Sequence, residues 1–217
     1  MNKVINEVLD KKLIVIVRGV EKEKLIPLAE AMYKGGIRLL ELTYDNTGKV
    51  SDEQTAENIA MLKKHFGDRM FIGAGTVTKT SQVELTKQAG GAFIISPDAD
   101  ADVIKKTKEL DMVSMPGALT PTEIKLAHKS GADFVKLFPI SNMGIDYIKA
   151  VRAPLTHIKM LAVGGIDENN MGDYLDSGVC GFGIGSGIVK KSLIDSDDYD
   201  GITKLAEKYV SVVGGAK

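Results

Sequence analysis

Eight short apolar runs recur along the 217 residues with helix-like stretches between them, and this alternation restricts the folds open to the chain more than any other feature. The runs are LIVIVR (13–18), IRLLELT (37–43), MFIGAGT (70–76), AFIIS (92–96), MVSM (112–115), DFVKLF (133–138), IKMLAV (158–163) and CGFGIG (180–185). Most are too short for a buried helix and too continuously apolar for strands with one wet face, which suits a parallel sheet covered on both sides. The stretches between them carry helical periodicity. In EKLIPLAEAMYKGG, Leu25, Leu28, Ala29 and Met32 fall on one face, and Gly35 and Gly36 mark a C-terminal stop. Eight strand–helix units spaced about twenty to thirty residues apart predict an α/β fold, a (β/α)8 TIM barrel, with an extra N-terminal helix over residues 2–10. An open doubly wound sheet has similar local patterns, and the unit count favours the barrel. No Pro/Ser-rich linker or shift of composition divides the chain, so residues 1–217 read as a single domain.

In such a barrel the chemistry gathers where strands end and helices begin. The carboxyl ends of the runs bring Arg18, Glu41 with Thr43, Gly75 with Thr76, Ser96 with Pro97, Pro116 with Gly117, Lys136 with Phe138, Gly164 with Gly165, and Gly185 with Ser186 to one mouth. Lys136 stands out because it interrupts an apolar run, and an ammonium is costly to desolvate. Its plain structural reading is a strand-end lysine that snorkels to water along its aliphatic stem. Glu41, after Leu39 and Leu40, raises the same question: it is either a structural ion-pair partner of Arg18 or Lys136, or a proton shuttle beside a reactive amine. Both readings of Glu41 need it close to Lys136.

The glycines after the seventh and eighth runs, AVGGI and GIGSGI, lie where barrels of this class often bind phosphate through backbone N–H groups, and Ser186 adds a hydroxyl. Tight turning alone also explains glycine there. GAGT after the third run is a weaker signal, since small residues at a strand end can simply make room for packing, although Thr76 could hold a carboxylate or carbonyl oxygen.

A net charge of −1 provides no basic field for nucleic acid or an anionic membrane, so an anionic ligand must be held by a local arrangement of groups. No apolar run approaches the roughly 20 residues needed to span a bilayer, the first twenty residues show no cleavable leader, and the single cysteine, Cys180, has no internal partner. A soluble protein of a reducing cytoplasm is expected. His65, His128 and His157 show no metal-ligand spacing, and no strand-linked GxGxxG with a following acid supports a dinucleotide site.

Together these motifs resemble the 2-keto-3-deoxy-6-phosphogluconate / 4-hydroxy-2-oxoglutarate aldolase family, from about residue 4 to about residue 210. The likeness rests on LLELT around Glu41, IGAGTV (72–77), FIISP (93–97), MPGALTPTEI (115–124), FVKLFP (134–139), GGI (164–166) and GSGIV (185–189). The resemblance implies a homotrimeric class I aldolase with Lys136 as the Schiff-base lysine and Glu41 as the general acid/base. It also implies that Thr76 helps hold the pyruvyl carboxylate, that Pro97 and Phe138 line the pocket, and that Gly164, Gly165, Gly185 and Ser186 bind a distal phosphate. The chain departs from the pattern at Asp45, where many members carry a carboxylate-gripping arginine. Arg18 is the expected replacement, with a structural pairing to Glu41 or Asp45 as its alternative. The polar segment from Asp45 to Asn58 is longer than usual and bears on which sugar acid fits.

The implied reaction is reversible cleavage of a 2-keto-3-deoxy-6-phospho sugar acid, or of 4-hydroxy-2-oxoglutarate, to pyruvate and an aldehyde. This chemistry needs neither a metal nor an organic cofactor. Two rivals remain at the level of sequence: a phosphosugar isomerase or epimerase on the same barrel, and a non-catalytic phosphate-ligand binding protein in which Glu41 and Lys136 are a buried ion pair.

Overall fold

Leu13–Val17 (β1), Leu39–Thr43 (β2), Phe71–Gly75 (β3), Phe93–Ile95 (β4), Val113–Met115 (β5), Gly117–Ala118 (β6), Val135–Leu137 (β7), Met160–Val163 (β8) and Gly181–Ile184 (β9) form one sheet in the computed structural model, which describes residues 2–215. Every pairing is parallel, in the order β5-β4-β3-β2-β1-β9-β8-β7-β6. The two ends of that order, β5 and β6, are separated in the chain by Pro116 alone. They are two halves of one stave, and the sheet closes through it as an eight-staved barrel. The run MVSM therefore stops short of the real stave, which continues past the proline. Proline has no N–H to give a ladder, so β5 pairs with β4, β6 pairs with β7, and the Pro116 carbonyl accepts from Lys136 N at 2.8 Å.

The helices α1 (Lys3–Lys11), α2 (Lys22–Lys34), α3 (Asp52–Phe66), α4 (Thr80–Gln88), α5 (Ala101–Glu109), α6 (Pro121–Lys129), α7 (Gly144–Arg152), α8 (Met171–Asp176), α9 (Lys191–Asp195) and α10 (Tyr199–Gly215) accompany the strands. Local chemistry sets several of their starts. Thr120 and Glu123 form a reciprocal capping box on α6, with Pro121 in its first turn, and Asn2 accepts from Val4 N at 2.9 Å on α1. The predicted face of α2 is the buried one: Leu25, Leu28, Ala29 and Met32 all pack into the core. None of the described helices is long and apolar enough to cross a membrane.

Two apolar layers result. One lies between the sheet and the outer helices. The other fills the barrel, where Ile14, Leu39, Phe93, Val113, Phe134 and Leu161 meet, and Val4 and Val8 of α1 pack against it. Helix α1, expected at 2–10 and found at Lys3–Lys11, is thus a plug for the barrel. With apolar side chains occupying the interior, polar side chains collect at the carboxyl ends of the strands.

Candidate active site

Glu41 and Lys136 enter the barrel from β2 and β7, and the strand period determines how. Residues two apart on a strand share a face. Leu39 points into the barrel filling, so Glu41 does too, and Phe134, just before β7, and Lys136 on it repeat the pattern. Both charged groups are buried, Glu41 at 2% and Lys136 at 8% exposure. They line one small cavity whose walls include Ile95, Met115, Leu161 and Val163. The snorkelling reading of Lys136 is excluded by this burial.

The space for Glu41 comes from glycine. A Cβ on Gly75 would overlap the Glu41 carboxylate, and one on Gly73 would overlap the Phe93 ring. The small-residue end of β3 therefore makes room, as its packing reading held, and the room it makes is occupied by the buried acid.

Burial pushes the Lys136 amine below its ordinary value; the Glu41 charge opposes that displacement and the Arg18 charge adds to it. Burial likewise pushes the Glu41 carboxyl up, against the pull of Lys136 and Arg18. Glu41 Oε2 has no hydrogen-bond partner among the described residues. A buried acceptor without a donor costs free energy unless a ligand uses it. The Lys136 ammonium also sits 4.6 Å from the centroid of the Phe138 ring, which is itself 36% exposed at the mouth. An amine and a carboxyl that both shift toward neutrality in one apolar cavity can attack a carbonyl and carry its protons.

Arg18 does not pair with Asp45. Its Nη2 donates to Thr76 Oγ1 at 3.0 Å. Asp45 turns its carboxylate into its own loop instead, accepting from Thr47 N (2.9 Å), Thr47 Oγ1 (2.7 Å), Lys49 N (2.9 Å) and Val50 N (2.9 Å). These donors hold the Asp45 carboxyl down at about 2, so it stays an anion committed to the loop rather than a charge aimed at the mouth. Arg18, Asp45, Asn46 and Thr76 together line a cleft beside the Glu41–Lys136 cavity.

The remaining expected residues also lie at the strand ends. Pro97 follows β4, and its carbonyl packs against Gly117 so closely that a Cβ there would clash. Gly164 and Gly165 follow β8 with φ of 101° and 70°, backbone that side-chain-bearing residues rarely adopt. Phe138 and Pro139 flank Gly164, and Ser141 flanks Gly165. Gly185 and Ser186 follow β9, where the Gly185 carbonyl accepts from Ile188 N and Val189 N at 3.1 and 2.9 Å. The N–H groups of Gly164, Gly165, Gly185 and Ser186 have no acceptor among the described residues. Two adjacent loops with free N–H groups are suited to an anion. No group of three His, Cys, Asp or Glu that could hold a metal ion occurs among the described residues.

Two polar residues at this mouth went unread in the sequence, Asn46 and Gln82. Gln82 is fully buried and hydrogen-bonds to Asn46, which hydrogen-bonds to the Thr76 carbonyl. A glutamine six residues after Thr76, in the first turn of α4, is the only trace they leave in the sequence.

The chain is similar to known proteins along nearly its whole length. A probable 2-dehydro-3-deoxy-6-phosphogalactonate aldolase of Rhizobium meliloti is 33% identical over 95% of this chain and 95% of its own length. A 2-dehydro-3-deoxy-phosphogluconate aldolase of Haemophilus influenzae is 29% identical over 97% of each. The crystal structure of a KDPG aldolase from Legionella pneumophila, with pyruvate captured at low pH as a covalent carbinolamine intermediate, matches with a TM-score of 0.83 at 29% identity, over 94% of this chain and 96% of that one. The family model for KDPG and KHG aldolases matches residues 4–205, and the chain belongs to that family.

Proposed function

We propose that this chain is a class I aldolase that reversibly cleaves a 2-keto-3-deoxy-6-phospho sugar acid, or 4-hydroxy-2-oxoglutarate, to pyruvate and an aldehyde through a Schiff base on Lys136. The observation that carries the assignment is the joint burial of Lys136 and Glu41 in one cavity, each shifted toward its neutral form. Free amine is the form that attacks the 2-keto carbon. The carbinolamine loses water to a protonated imine, which draws the electrons of the C3–C4 bond as Glu41 takes the proton of the 4-hydroxyl. The aldehyde leaves, the enamine is protonated at C3, and water releases pyruvate from the lysine.

In this reading Arg18 and Thr76 hold the pyruvyl carboxylate. Pro97 and Phe138 wall the pocket, and the N–H groups of Gly164, Gly165, Gly185 and Ser186 receive the phosphate. Binding energy from that distant phosphate orients the reacting carbons and raises the rate as well as the affinity. The full chain acts as one aldolase domain, assembled as a homotrimer in the cytoplasm, without metal or organic cofactor and without a nucleic-acid or membrane partner. Family membership supports the trimer, and the lone Cys180 supports a reducing compartment.

Lys136→Met tests the function directly. It is expected to abolish cleavage while phosphate-ligand binding persists. Residual turnover of an isomerase or epimerase substrate by this variant would favour a phosphosugar isomerase, and an inert wild-type protein that still binds phosphate esters would favour a sensor.

A further inference from the structure

We propose that Asn46 and Gln82 are positioning residues for the carboxylate end of the site, set in place by the Asp45-anchored loop that stands where the family's arginine is expected. The proposal rests on the reading of Arg18 and Thr76 as the carboxylate site, and it goes beyond that reading by saying what keeps those two groups ready.

Thr76 is the residue that needs holding. Its φ is +57°, in the left-handed region, which a β-branched residue adopts at a cost. Its hydroxyl oxygen accepts from Arg18 Nη2 at 3.0 Å, leaving the hydroxyl hydrogen free to point at a ligand oxygen. Asn46 Nδ2 donates to the Thr76 carbonyl at 3.2 Å and restrains the backbone in that conformation. Asn46 is in turn restrained from two sides. Gln82 Nε2 reaches Asn46 Oδ1 at 3.4 Å, and the four donors on Asp45 lock the loop that carries Asn46.

Gln82 has no freedom to turn. Its Oε1 accepts from Thr78 N at 2.9 Å and its Nε2 donates to Asp52 Oδ1 at 2.9 Å, so both ends of the amide are fixed. The Tyr44 hydroxyl donates to the Gln82 main-chain carbonyl at 3.1 Å, tying the end of β2 to α4 from below. The loops after β2 and β3 are thus joined by side chains, and the join ends at the Thr76 main-chain carbonyl, on the residue whose hydroxyl faces Arg18. An arginine at position 45 would grip a carboxylate with its own charge. Here the aspartate gives up that role and organises a loop whose next residue holds another ligand-binding group in place.

Asn46 is exposed, so its substitution leaves the core intact. Borohydride trapping of pyruvate over a range of pyruvate concentrations measures capture, and direct binding of inorganic phosphate, followed by calorimetric titration, measures the other end of the site. In Asn46→Ala half-maximal trapping is expected at about fivefold higher pyruvate, the effect of one lost hydrogen bond, and in Asn46→Asp, which also adds a negative charge beside the carboxylate site, at higher pyruvate still. Phosphate binding and Tm should stay at wild-type values. In an Arg18→Ala background the Asn46→Ala change should add little, because the two act through one group. Unchanged pyruvate capture in the single variants, or equal losses of pyruvate and phosphate, would overturn the proposal. If Arg18→Ala itself leaves pyruvate capture unchanged, the underlying carboxylate assignment falls and takes this one with it.

Discussion

At the scale of single residues, the account turns on how Lys136 and Glu41 set each other's protonation. Burial lowers the lysine, and the glutamate's negative charge offsets part of that effect. Removing the charge while keeping the shape should therefore lower the amine further. In Glu41→Gln the acid limb of the rate of pyruvate trapping against pH is expected to move to lower pH than in the wild type, even as turnover falls by about 10²–10⁴ for a lost proton carrier. An acid limb that stays where it is, or moves upward, would mean that the Glu41 charge does not hold the Lys136 amine up. Both residues were legible in the sequence because a charge inside an apolar run has few explanations. Asn46 and Gln82 were not, because a polar residue in a loop or a helix start is ordinary, and only the fold shows which atoms it meets. Arg18 was found in the sequence, but its partner was not: the alternatives weighed were Glu41 and Asp45, and the hydrogen bond goes to Thr76.

At the scale of the elements, strand ends and loops do most of the positioning. The glycine that ends β3 is the clearest case, since any side chain there would displace the buried carboxylate. Gly75→Ala is expected to cost roughly 1–3 kcal/mol of stability from overpacking and to reduce kcat by about 10²-fold or more as Glu41 is pushed aside. Normal kcat with unaltered thermal melting would show that the cavity has slack it does not display. The strands themselves were readable from apolar runs, and α2 from its face of Leu25, Leu28, Ala29 and Met32. The broken stave at Pro116 was not. Gly117–Ala118 is too short to show a period, and what makes it a strand is its pairing with Lys136 and Leu137. At Asp45 the sequence showed only the loss of an expected arginine; its four donors make it the anchor of a loop.

At the scale of the whole molecule, the barrel separates stability from chemistry. Its interior is apolar against α1 and polar at the mouth, and the fully buried Val8 belongs to the first of these regions. Val8→Ala should lower unfolding free energy by roughly 2 kcal/mol, from lost burial and the cavity left behind, with kcat unchanged. A comparable loss of kcat would show that the plug and the mouth are coupled. The barrel was legible from the count of alternating units, because eight strand–helix repeats close more naturally than they stay open. The measurement that bears most directly on the whole account is borohydride reduction of the protein with pyruvate, followed by peptide mass spectrometry. The account predicts one reduced pyruvyl adduct, on Lys136 and absent from Lys136→Met. No adduct, or an adduct on another lysine that survives in that variant, would contradict it.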